Sequence, residues 1–279
     1  MSRQPVPCPF VIANHYAVKK SRFNRRKAGP PPAKPAARFA DGGMRLNKYI
    51  AHAGVCARRQ AGELVKAGHV TVNGRSEKNP AYLVQPEDQV TVKGEPIALE
   101  QTLVYVLMNK PKDHTTTLRD EKGRRTVMDL LRDNVTERIY PVGRLDRATT
   151  GLLLLTNDGD LAQQLSHPSY EITKAYHVVL DQPVQPEHLQ AIRGTVTLED
   201  GPAPVDAVDY VRGAAPNEVG IKLHIGRNRI VRRLFEHFGY RVLRLDRTYY
   251  AGLTKKDLPR GRYRFLTERE VIMLKHFKS

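Results

Sequence analysis

Tryptophan is absent from this chain of 279 residues, and cysteine occurs only as Cys8 and Cys56. The two thiols form no Cys-x-x-Cys pair and no disulfide framework, which suits a reducing compartment, the cytosol. His-Glu-x-x-His and paired-Cys ligand sets are missing too, so no metal is expected. Neither a P-loop nor a Gly-x-Gly-x-x-Gly fingerprint occurs, and a nucleotide cofactor has no support. No apolar run approaches the ~18 residues of a membrane span. The start, Met1-Ser-Arg-Gln-Pro-Val-Pro, lacks the charged-then-apolar layout of a secretory signal. Acidic side chains are scarce as well: 29 Asp and Glu stand against 46 Lys and Arg, a net charge of +17. Such an excess calls for a polyanionic partner, and with no membrane segment that partner is nucleic acid.

Residues 1–43 are rich in Pro, Ala, Lys and Arg, and bury too little apolar surface to offset their ordering entropy. They read as a disordered basic tail. The pattern changes at Arg45. Leu46, Tyr49, Ile50 and Ala53 fall at helical spacing up to Gly54, and a second helix runs from Arg58 to Ala67 with Gly68 as its cap. Val70 and Val72, an Asn73-Gly74 turn, then Val90 and Val92 make a sheet of two or three short strands. The polar face of the helices carries Arg45, Lys48, Arg58 and Arg59. Gly94 to Gln101 reads as a linker, which divides the chain into 44–100 and 101–279.

In the second part, Leu103–Met108 reads as a strand closed by an Asn109-Lys110-Pro111 turn. Further strands are expected at Leu152–Leu155, Ile172–Leu180, Val205–Val211, Val219–Ile225 and Val242–Tyr249. Helices are expected at Val127–Arg132, Asp160–Ser166, Pro186–Arg193, Asn228–Phe238 and Glu268–Phe277. Strands and helices do not alternate strictly, so the class is α+β with a mixed or antiparallel sheet.

One stretch organises the rest: Pro141-Val-Gly-Arg144-Leu-Asp146-Arg-Ala-Thr-Thr150-Gly-Leu-Leu-Leu-Leu155-Thr-Asn-Asp-Gly159. It sets the carboxylate of Asp146 between Arg144 and Arg147 on the rim of a buried strand. There an acid can be held rigid and still be reached by substrate. A solvated surface turn is the plain alternative for Arg-Leu-Asp taken alone. The whole stretch, with Thr150-Gly151-Leu-Leu and Thr156-Asn157-Asp158-Gly159 at fixed spacing, resembles the signature loop of bacterial ribosomal RNA pseudouridine synthases. The nearest group holds the A-type enzymes of small-subunit RNA and the B-type enzymes of large-subunit RNA. That resemblance implies that Asp146 is the catalytic residue and that Arg144 belongs to the substrate site.

Residues 45–94 resemble the S4 RNA-binding domain through Arg45-Leu-Asn-Lys48-Tyr, Arg58-Arg59-Gln-Ala61 and Gly68-His-Val70-Thr-Val72-Asn73-Gly74. The resemblance implies that the basic helix face holds RNA. Ala57 departs from the pattern, since a Ser there would cap the second helix at a gain of about 1 kcal/mol. Lys174-Ala-Tyr176-His-Val178 alternates as a half-buried strand. The pattern alone gives a core tyrosine, whereas the family gives Tyr176 a place against the target base. Gly226-Arg227-Asn228-Arg229-Ile-Val-Arg232-Arg233 combines a glycine turn with arginines at a helix start, a phosphate-binding arrangement. It resembles the motif of the B-type enzymes, which implies that Arg232 pairs with Asp146; Arg227 and Arg229, at the helix start, are expected to hold RNA phosphates. Ile225 stands where many relatives have Glu.

The implied activity is isomerisation of uridine to pseudouridine in ribosomal RNA, preferably of the large subunit. No cofactor is expected, and the protein would act as a monomer on the RNA or a pre-ribosomal particle. A synthase for small-subunit RNA and a non-catalytic S4-type assembly factor are the competing readings. The combined presence of Asp146, Tyr176 and Arg232 favours the enzyme.

Overall fold

The computed structural model describes residues 43–99, 102–131 and 135–277. The basic tail therefore lies outside the described residues, apart from Gly43. After the two-residue strand Met44–Arg45, which pairs with Leu83–Val84, come two short helices, α1 (Leu46–His52) and α2 (Arg58–Lys66). Four strands follow: β1 (Val70–Val72), β2 (Arg75–Ser76), β3 (Val90–Val92) and β4 (Glu95–Ile97), paired in the order β2-β1-β3-β4. Leu46, Ile50, Ala61, Val65, Val70 and Val90 close one small core between helices and sheet. Ala57 supplies no side-chain cap to α2, but Gln60 reaches back to its backbone N–H at 3.3 Å. This sheet is larger than the expected two or three strands. The expected linker is shortened by β4, whose Glu95–Ile97 pairs with Val90–Val92 across a Lys93-Gly94 turn.

The larger part is built on a nine-stranded mixed sheet. Its main strands are β5 (Tyr105–Lys110), β6 (Thr150–Thr156), β7 (Lys174–Leu180), β8 (Ala207–Tyr210), β9 (Glu218–Leu223), β10 (Val242–Tyr250) and β11 (Tyr263–Phe265). They lie in the order β8-β9-β7-β10-β6-β5-β11. The β10–β6 pair is parallel and the other pairs of this path are antiparallel. Helices α3 (Gly159–Ser166) and α6 (Glu268–Lys275) contribute Leu161, Leu165 and Leu274 to the core on one face. Helices α4 (Pro186–Arg193) and α5 (Ile230–Glu236) contribute Leu189, Ile192, Val231 and Leu234 to the core on the other.

Leu152 and Leu154 belong to the first core, Leu153 and Leu155 to the second. A strand buried on both faces explains an apolar run without alternation. The turn expected at Asn109-Lys110 is absent. Instead β5 runs on through Lys110, which is fully buried. The expected helix near Val127 is a single 3-10 turn, Val127–Leu130. No helix among the described residues is long and apolar enough to cross a membrane.

Candidate active site

The loop between the short strand Tyr140–Pro141 and β6 carries Asp146. Val142 N–H bonds to Leu154 C=O at 2.8 Å, and Gly143 then turns the chain at φ 70°, a conformation that favours glycine. At the far end Thr149 N–H closes onto Asp146 C=O at 3.0 Å. Beyond it, Gly151 crosses the backbone of β10. A side chain there would place its Cβ 2.3 Å from the carbonyl oxygen of Arg247, so only glycine allows the parallel pairing Asp246–Thr150 and Arg247–Gly151.

Lys110 fixes the loop from below. Its Nζ donates to the carbonyl oxygens of Thr149 (2.8 Å), Asp146 (3.1 Å) and Arg147 (3.2 Å), and to that of Pro111 (3.2 Å). Burial pulls the ammonium down to about 8, against the opposing field of Asp146 and Asp113. The 113–116 segment clasps the loop from the side. Thr116 Oγ1 donates to Leu145 C=O at 2.8 Å, and Asp113 pairs with Arg147 at 3.2 Å. Thr150 Oγ1 donates to the buried carboxylate of Asp246 at 2.8 Å, which also meets Lys255 and, at 3.3 Å, Arg260. Burial opposes the Asp246 charge, but these cations and the hydroxyl outweigh it and hold the carboxyl below its usual range.

Asp146 thus sits on an immobilised frame with its side chain 40% exposed. Arg232 on α5 approaches from the protein side, Nε to Oδ2 3.8 Å, with its own side chain only 10% exposed. Arg232 Nη1 donates to Val242 C=O at 3.0 Å, whereas its buried Nε has no hydrogen-bond acceptor among the described residues. Burial, and after it the neighbouring Arg229, push this guanidinium below its ordinary value, and Asp146 is the first anion to offset them. The chain enters α5 through Arg229 at φ 47°, a sparsely populated conformation for a side-chain-bearing residue.

The expected residues fall into two groups. Asp146 and Arg232 come together. Tyr176 is buried on β7, opposite Arg247 in register and in the same core as Leu145 and Ile230. Among the described residues no hydrogen bond joins it to either. Arg144, Arg45 and Arg59 are exposed, and so is Arg58, whose Nε donates to Asn47 Oδ1 at 3.3 Å. Arg229 is exposed and pairs with Glu236 at 3.2 Å.

Two expected phosphate ligands have partners inside the protein. Arg227 clamps the Val196–Leu198/Gly201–Ala203 hairpin, donating to the carbonyls of Asp200 (2.9 Å), Gly201 (3.1 Å) and Pro202, and pairing with the Asp200 carboxylate. Lys48 pairs with Asp160 at 2.6 Å. Lys110, Thr116 and Asp246 were not legible as site residues. A lysine ending an apolar strand was a usable signal for the first, but Asn-Lys-Pro reads as a turn. Nothing local marks the other two.

A family model described as RNA pseudouridylate synthase matches residues 104–237, and an S4 domain model matches 44–90. The ribosomal large subunit pseudouridine synthase B of Bacillus subtilis is 42% identical over 83% of this chain and 95% of its own length. This chain belongs to the RNA pseudouridine synthase family. The dual-specificity RNA pseudouridine synthase RluF of Escherichia coli is 35% identical over 84% of this chain and 79% of its own. A crystal structure of a pseudouridylate synthase superposes with a TM-score of 0.60 at 27% identity, covering 83% of this chain and all of that one. The protein is accordingly an isomerase of the pseudouridine synthase type, with an S4 domain ahead of its mixed-sheet domain.

Proposed function

We propose that this pseudouridine synthase isomerises a uridine of large-subunit ribosomal RNA, with Asp146 as its catalytic carboxylate. One observation carries the assignment. Asp146 is the open carboxylate of a loop locked by Lys110 and Thr116, and it faces the buried Nε of Arg232 across 3.8 Å. The large-subunit target rests on the similarity to the B-type synthase of Bacillus subtilis.

Isomerisation breaks the C1′–N1 bond, turns the uracil and forms C1′–C5; the C5 proton leaves and N1 gains one, so the formula is unchanged. A carboxylate beside C1′ can attack that carbon or remove the C2′ proton to give a glycal. Both routes need the uridine out of its stack, in a pocket beside the loop. Arg232 gives the carboxylate a fixed counter-charge and holds its orientation. Tyr176 supplies a ring for the extruded base to lie against, and Arg144 flanks the opening. Residues 44–100 anchor the RNA through Arg45, Arg58 and Arg59, residues 101–279 do the chemistry, and the enzyme works as a cytoplasmic monomer.

The test is to map pseudouridines by carbodiimide labelling in ribosomal RNA from cells with and without the gene. Loss of a large-subunit site, restored by the wild-type protein and not by Asp146→Asn, is the expected result. A site lost from small-subunit RNA would replace the target assignment. Unchanged maps together with an inert purified protein would favour an assembly factor.

A further inference from the structure

The polar face of α1 does not look wholly outward. Lys48 and His52, one helical turn apart, both meet the start of α3. Lys48 Nζ lies 2.6 Å from Asp160 Oδ1, with the two side chains 31% and 62% exposed. A Cβ on Gly159 would fall 2.7 Å from His52 Nε2 and 3.2 Å from the Tyr140 hydroxyl, so glycine is what lets α1 come this close. Tyr140 belongs to the segment that leads through Pro141 and Val142 into the Asp146 loop. The RNA-anchoring domain therefore meets the start of α3 at a point that Tyr140, in the stem of the Asp146 loop, also reaches.

We propose that Lys48 and His52 dock the S4 domain on the start of α3 beside Tyr140, and that this docking selects the target by fixing the span from the S4 cations to Asp146. A partly exposed ion pair is weak by itself and screened by salt. The contact is thus a latch whose geometry matters more than its strength, and Lys48 is a positioning residue, not a phosphate ligand. The RNA part of this inference rests on the function proposed above; the docking part does not.

Charge exchange tests it on the full-length protein, using Lys48→Glu, Asp160→Lys, the double variant, and Gly159→Leu as a wedge that changes no charge. Small-angle X-ray scattering without RNA should show both single charge variants and the wedge extended relative to wild type, and the double variant compact again. Single-turnover pseudouridine formation should fall at least about tenfold at the target in the three extended proteins, with product appearing at neighbouring uridines. The double variant should return to within about threefold of wild type. Circular dichroism melting of each variant keeps misfolding apart from undocking.

If Lys48→Glu is impaired, Asp160→Lys is not, and the double variant stays impaired, Lys48 contacts phosphate and the docking idea is wrong. Unchanged scattering across all four variants overturns it equally. A wild-type protein that forms no pseudouridine would sink the functional reading alone, because the scattering series still decides docking.

Discussion

The Arg232 guanidinium stops 3.8 Å short of the Asp146 carboxylate, outside hydrogen-bonding range, while its Nη1 is tied to Val242 C=O. The pair is preset by the protein and leaves room for a ribose to change the spacing. Asp146→Asn should abolish pseudouridine formation, with turnover down by at least about 10³-fold and RNA affinity within a few-fold. Arg232→Lys should cost roughly 10²-fold in turnover, since one ammonium cannot serve Val242 and Asp146 from both ends of a planar fork. Single-turnover assays beside filter binding separate the two effects. An Asp146→Asn protein that still makes product would move the chemistry to another residue.

Lys110→Met keeps length and apolar bulk but leaves the carbonyls of Asp146, Arg147 and Thr149 without their shared donor. Stranding those buried acceptors should destabilise the fold by about 3–5 kcal/mol. Below its melting temperature the variant should still be slow, because Asp146 is no longer held. Denaturant unfolding and single-turnover rates on the same samples check this. Full activity in a destabilised protein would show that the cage supports the fold without aiming the carboxylate.

The exposed cations should act through phosphate. Replacing Arg45, Arg58 and Arg59 together by alanine should flatten the plot of log affinity against log salt by about 0.7–0.9 for every phosphate no longer neutralised. Turnover at saturating RNA should hold. An unchanged slope would remove this face from the RNA interface.

Arg227 and Arg229 should part company. Arg227→Ala releases the hairpin from Asp200 to Pro202 and should lower the melting temperature by about 2–4 °C, with little change in salt slope. Arg229→Ala loses only an exposed pair with Glu236 and should show the reverse. Differential scanning calorimetry and salt titrations distinguish them.

Docking should weaken in acid. Burial holds the His52 imidazole below its ordinary 6.5, with Lys48 and Arg58 acting the same way, and Asp160 and Asp158 only partly offsetting them; the Tyr140 hydroxyl is the remaining close group. Lys48 and Arg58 stay beside His52 on undocking, so the difference comes from the burial that Gly159 and Tyr140 supply. Losing it lets the undocked state bind more protons as pH falls. Docking is at full strength above 6.5 and is lost progressively below it, toward the depressed docked value. Scattering profiles at about pH 7.5 and 5.5 should show extension only at the lower value, and His52→Asn should remove most of that difference. A wild-type profile indifferent to pH would mean that His52 is not compressed in the seam.

Local sequence carried much of this. Pro186–Arg193 shows its proline start, and Asp158 accepts from Leu161 N–H as a turn acid before a helix should. The order of the two domains was legible because each has its own apolar pattern. What escaped was whatever depends on residues distant in sequence. Lys110 reads as a turn residue because its partners lie 36 to 39 positions away. Arg227 reads as a phosphate ligand until the hairpin at 200–202 folds against it. The edge strand β11 holds only three residues, too few for an alternation to show.

Strand β10 is made late and placed in the middle. Residues 242–250 fill the gap between β7 at 174–180 and β6 at 150–156. A growing chain therefore holds two half-sheets, each with an open edge, until residue 250 has been synthesised. Asp146 and Tyr176 are both present in that intermediate, yet nothing sets the distance between them. Chains cut before residue 250 should be inert and prone to pair edge to edge. The synthase thus brings Asp146 and Tyr176 to a fixed spacing in one late event, when the last central strand closes the sheet.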